Sequence, residues 1–184
     1  MGTPKEPSPA KLVMSLIFSD DTVLERGLHE LRLAFGEIDF MSARLPFDFT
    51  DYYTKEMGRP LFRHFITFER LVPMDSLPDI KKATNHLEGR LASPEGNRRV
   101  NIDPGYLCLG HMILATTKSY THRPYLRGGI YADLTLIYRG KSFQPLEWTY
   151  PDYRQENVIS LFNQLRQRYA DALRERNADP CRSQ

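Results

Sequence analysis

Two segments in which apolar and polar side chains alternate constrain the fold of this chain more than any other feature. Residues 61–72 place Phe62, Ile66 and Phe68 on one face of an extended chain, and residues 130–138 alternate in the same way. Successive side chains of a strand point to opposite faces of a sheet, so a period of two over this length predicts strands. Shorter apolar or alternating runs predict further strands at residues 11–19, 37–45, 99–103, 112–117 and 142–148.

Apolar side chains at helical spacing predict three helices. The first covers residues 21–35, where Thr22 and Glu25 have the spacing of a capping box and Gly36 suits the position after the last turn. The second covers residues 77–91, and its inward stripe is Leu77, Ile80, Thr84, Leu87 and Leu91. The third is long and buries Val158, Leu161, Phe162, Leu165, Tyr169 and Leu173.

The order of these elements predicts an α+β fold with a ferredoxin-like antiparallel sheet (β-α-β-β-α-β), extended by a β-hairpin and a C-terminal helix. The first two helices are expected to pack on the same face of the sheet. Pro104–Gly105 is predicted to form a type II turn. Residues 11–176 are predicted to form a single domain, between a disordered leader at residues 1–10 and a flexible tail at residues 177–184.

Composition excludes several classes of protein. The net charge of +2 is too small to indicate nucleic acid or an anionic membrane as a partner. No apolar run approaches the roughly 20 residues of a membrane-spanning helix, so no membrane association is expected. Cys108 and Cys181 have no metal or redox spacing, which fits a reducing cytoplasm. The sequence does not indicate an oligomeric state or a cofactor.

A basic and aromatic loop between two predicted strands is the first candidate site. Lys118, His122 and Arg123 could receive a phosphate or a carboxylate, and His122 could act as an acid or base near neutral pH. The alternative is a solvated loop whose charges balance nearby carboxylates. On the facing strand, Tyr131 and Asp133 occupy the polar face. The predicted catalytic residues are His122 and Asp133, and the predicted ligand-binding residues are Asp103, Tyr106, Lys118, Arg123 and Tyr131.

Further carboxylates and aromatic residues leave other interpretations open. Glu69, Asp103 and Asp133 could converge on one sheet surface to bind a hard cation. Structural salt bridges are the favoured alternative, and no metal ligand is assigned. The acidic-aromatic segments 51–53 and 150–154 could form walls around a ligand, or could be surface loops that pack on each other. Phosphate-binding glycine loops, the GxSxG motif and paired zinc spacings are all missing from the sequence.

Several motifs along the chain occur together in a known family. They are FTDYYTKEMG at residues 49–58, NIDPGYL at 101–107, ATTKSYTHR at 115–123, GIYADLTL at 129–136 and WTYPDY at 148–153. With these motifs the chain resembles a prokaryotic family catalogued as domain of unknown function 4416. The resemblance implies a small stand-alone bacterial or archaeal protein and assigns no catalytic residue.

Three functions remain open from the sequence. The first is a small enzyme or binding protein for a phosphorylated or nucleotide-like ligand, an anionic small molecule. The second is a non-catalytic interaction module that docks a protein through a sheet edge or its aromatic loops. The third is RNA binding on the open sheet face, against which Glu69, Asp103 and Asp133 would repel phosphates.

Overall fold

The computed structural model describes residues 2–178. Within them the strands are β1 (Ala10–Phe18), β2 (Ile38–Met41), β3 (Leu45–Pro46), β4 (Phe62–Val72), β5 (Val100–Leu107), β6 (His111–Thr116), β7 (Tyr125–Arg127), β8 (Ile130–Arg139) and β9 (Ser142–Pro145). The helices are α1 (Asp21–Phe35), α2 (Thr54–Met57), α3 (Leu77–Leu91) and α4 (Glu156–Ala178), with short 3-10 turns at Met74–Ser76 and Pro151–Arg154. Across this part of the chain, no helix is long and apolar enough to cross a membrane.

The strands form one large, open antiparallel sheet, so the protein has a mixed α/β architecture. The strand order is β2-β4-β1-β5-β6-β8-β7, with β3 paired to β4 and β9 paired to β8. The prediction that four of the segments share one antiparallel sheet is confirmed by β1, β2, β4 and β8. The ferredoxin-like topology is not confirmed, because the order of the full sheet differs. Strand β6 lies between β5 and the β8–β9 hairpin, and β7 extends the sheet beyond β8.

Helices cover both faces of the sheet. Helices α1 and α3 share one face, where Leu28 and Leu87 pack in the same core cluster as Leu16 of β1. The prediction that these two helices lie on the same face is therefore confirmed. Helix α4 covers the opposite face and packs Phe162 against Phe65 with ring centres 5.3 Å apart. Both layers bury continuous apolar surface, which is the main favourable contribution to folding.

The helix boundaries agree with the predicted ones, but one cap differs. Helix α1 is capped by Asp20, whose Oδ1 accepts from the backbone N–H groups of Thr22 at 2.8 Å and Val23 at 3.3 Å. The Thr22 capping box is therefore wrong, because the carboxylate two residues earlier occupies the orphan donors. Gly36 ends the helix with a φ of 95°, as predicted. The predicted inward stripe of α3 is fully buried.

The predicted ends of the chain are described only in part. Residues 2–9 precede β1 and contain no helix or strand. Helix α4 runs through residues 177 and 178, which the sequence analysis assigned to the tail. Residue 1 of the predicted leader and residues 179–184 of the predicted tail lie outside the described residues.

Candidate functional site

The sheet opens where β5 and β6 part. These strands pair only from Gly105 opposite Leu114 to Leu107 opposite Met112, whereas β5 stays paired with β1 as far as Val100. The predicted turn at Pro104–Gly105 is therefore wrong, since β5 runs straight through both residues. We call the opening between residues 101–104 and residues 115–118 the fork.

Proline is tolerated at the fork because β5 has a strand neighbour on one side only at that point. Along an antiparallel strand, alternate residues direct their backbone polar groups to the same edge. Ile102 directs its groups away from β1, so Pro104 occupies the equivalent position. A residue without an N–H leaves no donor unpaired there.

Side chains of helix α3 supply the hydrogen-bond partners that a neighbouring strand would otherwise give to the backbone of β5. The backbone N–H of Ile102 donates to the carboxylate of Glu88. The ammonium group of Lys81 donates to the carbonyl of Ile102 at 3.1 Å and to Oδ1 of Asp103 at 3.2 Å. Lys81 and Glu88 are both buried. The backbone N–H and carbonyl groups of Ile102 therefore have side chains as hydrogen-bond partners, and the fork stays open.

A cleft of about 470 Å³ occupies the fork. This volume lies within the roughly 300–1,000 Å³ typical of small-molecule sites. We call it the fork cleft. Its walls are Phe47, Phe49, Thr50, Tyr52 and Tyr53 from the loop before α2; Arg63 of β4; Lys81, Asn85 and Glu88 of α3; Arg98, Asn101 and Asp103 around the start of β5; residues 114–118; Asp133; and residues 150–153.

The fork cleft brings together part of the predicted site. Asp103, Lys118 and Asp133 line it, although they come from three different segments of the chain. The two acidic-aromatic segments, 51–53 and 150–154, also contribute wall residues. Both segments therefore line a cavity, and the interpretation that they form walls around a ligand stays a prediction.

The other predicted site residues do not line the fork cleft. Tyr106 belongs to a core cluster with Ala10 and Leu77, and burial raises its pKa. Tyr131 makes an edge-to-face contact with Tyr125, with ring centres 5.3 Å apart. These two tyrosines therefore have packing roles.

His122 also lies outside the walls. Its ring stacks on Trp148 with centres 4.8 Å apart, and its Nε2 is 3.6 Å from Oδ2 of Asp133. That separation is too long for a hydrogen bond. The predicted acid–base role of His122 and Asp133 therefore gains no support from the geometry and stays a prediction.

The guanidinium of Arg123 is hydrogen-bonded to residues of the cleft wall. Its guanidinium donates to Oδ2 of Asp133 at 2.8 Å, to the carbonyl of Lys118 at 3.2 Å and to the hydroxyl of Tyr150 at 2.8 Å. The Arg123 side chain is only 8% exposed. Three of its N–H groups are therefore bonded within the protein, and the predicted anion-binding role of Arg123 stays a prediction.

We expect Arg123→Ala to lower the free energy of unfolding by about 2–3 kcal/mol, because the buried carboxylate of Asp133 loses its charged donor. Chemical denaturation measures this change. Arg139→Ala is the matched control, since Arg139 is exposed and its side chain makes no hydrogen bond to residues 2–178. Equal stability of the two variants would mean that the hydrogen bonds of Arg123 do not stabilise the fold.

Most charged groups of the cleft are paired. The pairs are Arg63 with Asp152, Lys81 with Asp103, Arg98 with Glu56, and Arg123 with Asp133. Among the residues that the structure describes, Lys118 has no carboxylate partner. Its ammonium lies 4.4 Å from the ring centre of Tyr52, and the guanidinium carbon of Arg98 lies 5.7 Å from the same centre. Two cations therefore converge on one aromatic ring in the cleft wall.

Burial changes the proton affinity of the groups in the wall. It raises the pKa of Glu88 to about 7, although the positive charge of Lys81 and the N–H of Ile102 act in the opposite direction. Near neutral pH, the protonated and ionised forms of Glu88 are therefore both populated. Burial also raises the pKa values of Tyr53 and Tyr153, so both phenols stay neutral donors.

Sequence reasoning missed the α3 wall of the cleft. Lys81, Asn85 and Glu88 repeat at helical spacing, next to the inward stripe that includes Thr84. Charged residues on the inner side of an amphipathic helix are a usable signal, because burying them requires partners. Arg63 and Asp152 are 89 residues apart, and no local pattern connects them.

The predicted alternative of a cation site is not supported. Within residues 2–178, no three His, Cys, Asp or Glu side chains are close enough to hold a metal ion. Asp103 and Asp133 share the cleft, but Asp103 pairs with Lys81 and Asp133 with Arg123. Two of the three carboxylates weighed for a cation therefore form salt bridges, whereas Glu69 forms none within the described residues.

The fold and the cleft together define an α/β protein with an open antiparallel sheet and a polar, aromatic-walled cavity. The chain belongs to the family described as domain of unknown function DUF4416, whose family model matches residues 8–169. The resemblance seen in the sequence motifs is thereby confirmed. No curated protein and no solved structure matches the chain.

Proposed function

We propose that the protein binds a small phosphorylated or nucleotide-like molecule in the fork cleft. The observation that carries this proposal is the placement of Lys118, which is without a carboxylate partner in the described part of the chain and faces the ring of Tyr52. Arg98 approaches the same ring. A phosphate at this point would meet one unpaired ammonium and one guanidinium.

The charge balance of the cleft supports an anionic ligand. The four ion pairs of the cleft are neutral, which leaves Lys118 and Glu88 as the unbalanced groups. The cleft carries one net positive charge when Glu88 is protonated and none when it is ionised, so no net negative charge opposes an anion near Lys118. Charge-assisted hydrogen bonds to phosphate are stronger than those between neutral groups, so Lys118 gains most from an anion.

The proposal concerns binding, and it assigns no catalytic step to His122 and Asp133. Arg123 already binds the carboxylate of Asp133, and His122 does not line the cleft. Lys118 belongs to the predicted ligand-binding set, whereas Arg98 is added from the geometry.

A thermal-shift screen with nucleotides and sugar phosphates, followed by titration calorimetry, tests the proposal. We expect at least one compound to stabilise the wild type. Lys118→Ala should weaken its binding about 10- to 100-fold, because a charge-assisted hydrogen bond contributes roughly 1.5–3 kcal/mol. Lys5→Ala is the control, since Lys5 is an exposed lysine of equal charge outside the cleft. If no compound stabilises the wild type, or if Lys118→Ala binds like Lys5→Ala, the proposal is wrong.

A further inference from the structure

We infer that the ligand of the fork cleft carries a nucleobase, whose hydrogen-bonding edge is received by Asn85 and Glu88 of α3. This inference rests on the proposed function and narrows its ligand to nucleotides. It divides the cleft into an anion end at Lys118 and a base end at α3.

The two α3 side chains form one recognition unit. Asn85 and Glu88 are three residues apart, so they lie on the same side of the helix, and both line the cleft. In the described part of the chain, the Asn85 amide makes no hydrogen bond. Glu88 uses Oε1 for the N–H of Ile102, and its second carboxyl oxygen has no partner there. One amide and one carboxyl oxygen therefore remain available to a ligand.

These available groups match the edge of a base. An asparagine amide offers a donor and an acceptor in one plane, which suits the adjacent acceptor and donor of a nucleobase. The second oxygen of Glu88 can accept from an exocyclic amine or, when protonated, donate to a ring nitrogen. The pKa of about 7 makes both states of Glu88 accessible near neutral pH.

The aromatic wall favours a flat ligand. Tyr52 and Tyr53 stand in the wall with ring centres 5.0 Å apart, and Arg98 lies 5.5 Å from the ring centre of Tyr53. Stacking on an aromatic side chain stabilises a bound base and is open to all four bases, because every base has a π-face. A sugar phosphate without a base would use the anion end alone.

The test compares AMP, GMP, CMP and UMP with ribose 5-phosphate by titration calorimetry on the wild type, Asn85→Ala and His86→Ala. His86 is the control because it is exposed on the same helix and does not line the cleft. We expect at least one nucleotide to bind the wild type tenfold or more tightly than ribose 5-phosphate. Asn85→Ala should remove most of this preference and change the affinity for ribose 5-phosphate less than twofold. His86→Ala should bind like the wild type.

Two results separate this inference from the proposed function. Equal binding of ribose 5-phosphate and all four nucleotides, or an equal loss of both in Asn85→Ala, overturns the nucleobase inference and leaves phosphate binding intact. Failure of all four nucleotides to bind the wild type also overturns the nucleobase inference, whereas the proposed function fails only if no compound of its wider thermal-shift screen stabilises the wild type. In addition, Glu88→Gln keeps an acceptor for Ile102 and should change the order of preference among the four nucleotides. An unchanged order contradicts the role of Glu88.

Discussion

Asp152→Ala is expected to lower the free energy of unfolding by about 3–5 kcal/mol, the usual cost of leaving one member of a buried ion pair alone. Arg63 and Asp152 form a hydrogen-bonded pair with side chains 7% and 9% exposed. The guanidinium carbon of Arg63 lies 4.5 Å from the ring centre of Phe47 and 5.2 Å from that of Tyr153. Aromatic rings stabilise the cation only in part, so its charge would stay largely uncompensated.

Chemical denaturation with two further variants makes the Asp152 result decisive. Asp51→Ala breaks the exposed pair with Arg59, where the Asp51 side chain is 83% exposed, and should cost no more than about 1 kcal/mol. Arg63→Met combined with Asp152→Ala removes both charges and should recover much of the loss. If Asp152→Ala is no less stable than Asp51→Ala, the buried pair does not hold the loop at residues 150–153 to the sheet.

Gly105→Ala is expected to lower the free energy of unfolding by about 3 kcal/mol, the upper end of the usual cost of overpacking, through a steric conflict between two strands. A Cβ at Gly105 would overlap the carbonyl oxygen of Ile113 and come within 2.9 Å of Cδ2 of Leu114. Backbone atoms of β6 cannot rotate away as a flexible side chain could. The pairing of Gly105 with Leu114 is the last one before the fork, so the added methyl group would also widen the cleft.

Gly89→Ala is the matched control for Gly105→Ala. Gly89 lies in α3, and a Cβ there would meet no atom within 4 Å. Alanine at an unstrained helical position should raise stability by about 0.4–1 kcal/mol. Replacing glycine by alanine should therefore lower the free energy of unfolding at Gly105 and raise it at Gly89. Thermal or chemical denaturation measures both changes. A Gly105→Ala protein as stable as the wild type would mean that β5 and β6 do not approach as closely as the structure indicates.

The spacing of apolar residues along the sequence was enough to predict individual helices and strands. The boundaries of α1 and α3 agree with the sequence pattern because each amphipathic stripe lies within its own segment, and because Gly36 marks the end of α1. The strand order could not be predicted in this way, since it depends on which strands pair. At Pro104–Gly105, the turn preference of the dipeptide was overridden by pairing with β1 and by the close approach of β6.

Part of the cleft lining was predicted where polar residues interrupt strands or follow their ends. Asp103, Lys118 and Asp133 were singled out in this way, and all three line the fork cleft. The hydrogen bonds of Arg123 to Asp133 and Tyr150 could not be predicted, because these partners are 10 and 27 residues away and a sequence shows no such contacts. The α3 wall was missed because its polar residues lie beside a stripe that was interpreted only as apolar packing.

The most direct test of the fork cleft as a nucleotide site is a titration of ¹⁵N-labelled protein with AMP and, separately, with UMP, followed by backbone amide chemical shifts. The account predicts that the largest changes for at least one of them fall at Asn85, Glu88, Asn101 and residues 115–118, the two sides of the fork. The hairpin turn at residues 108–111, which lies beyond the paired part of β5 and β6, should change little. Saturable changes centred outside the fork, or no change with either nucleotide at millimolar concentration, would contradict the account.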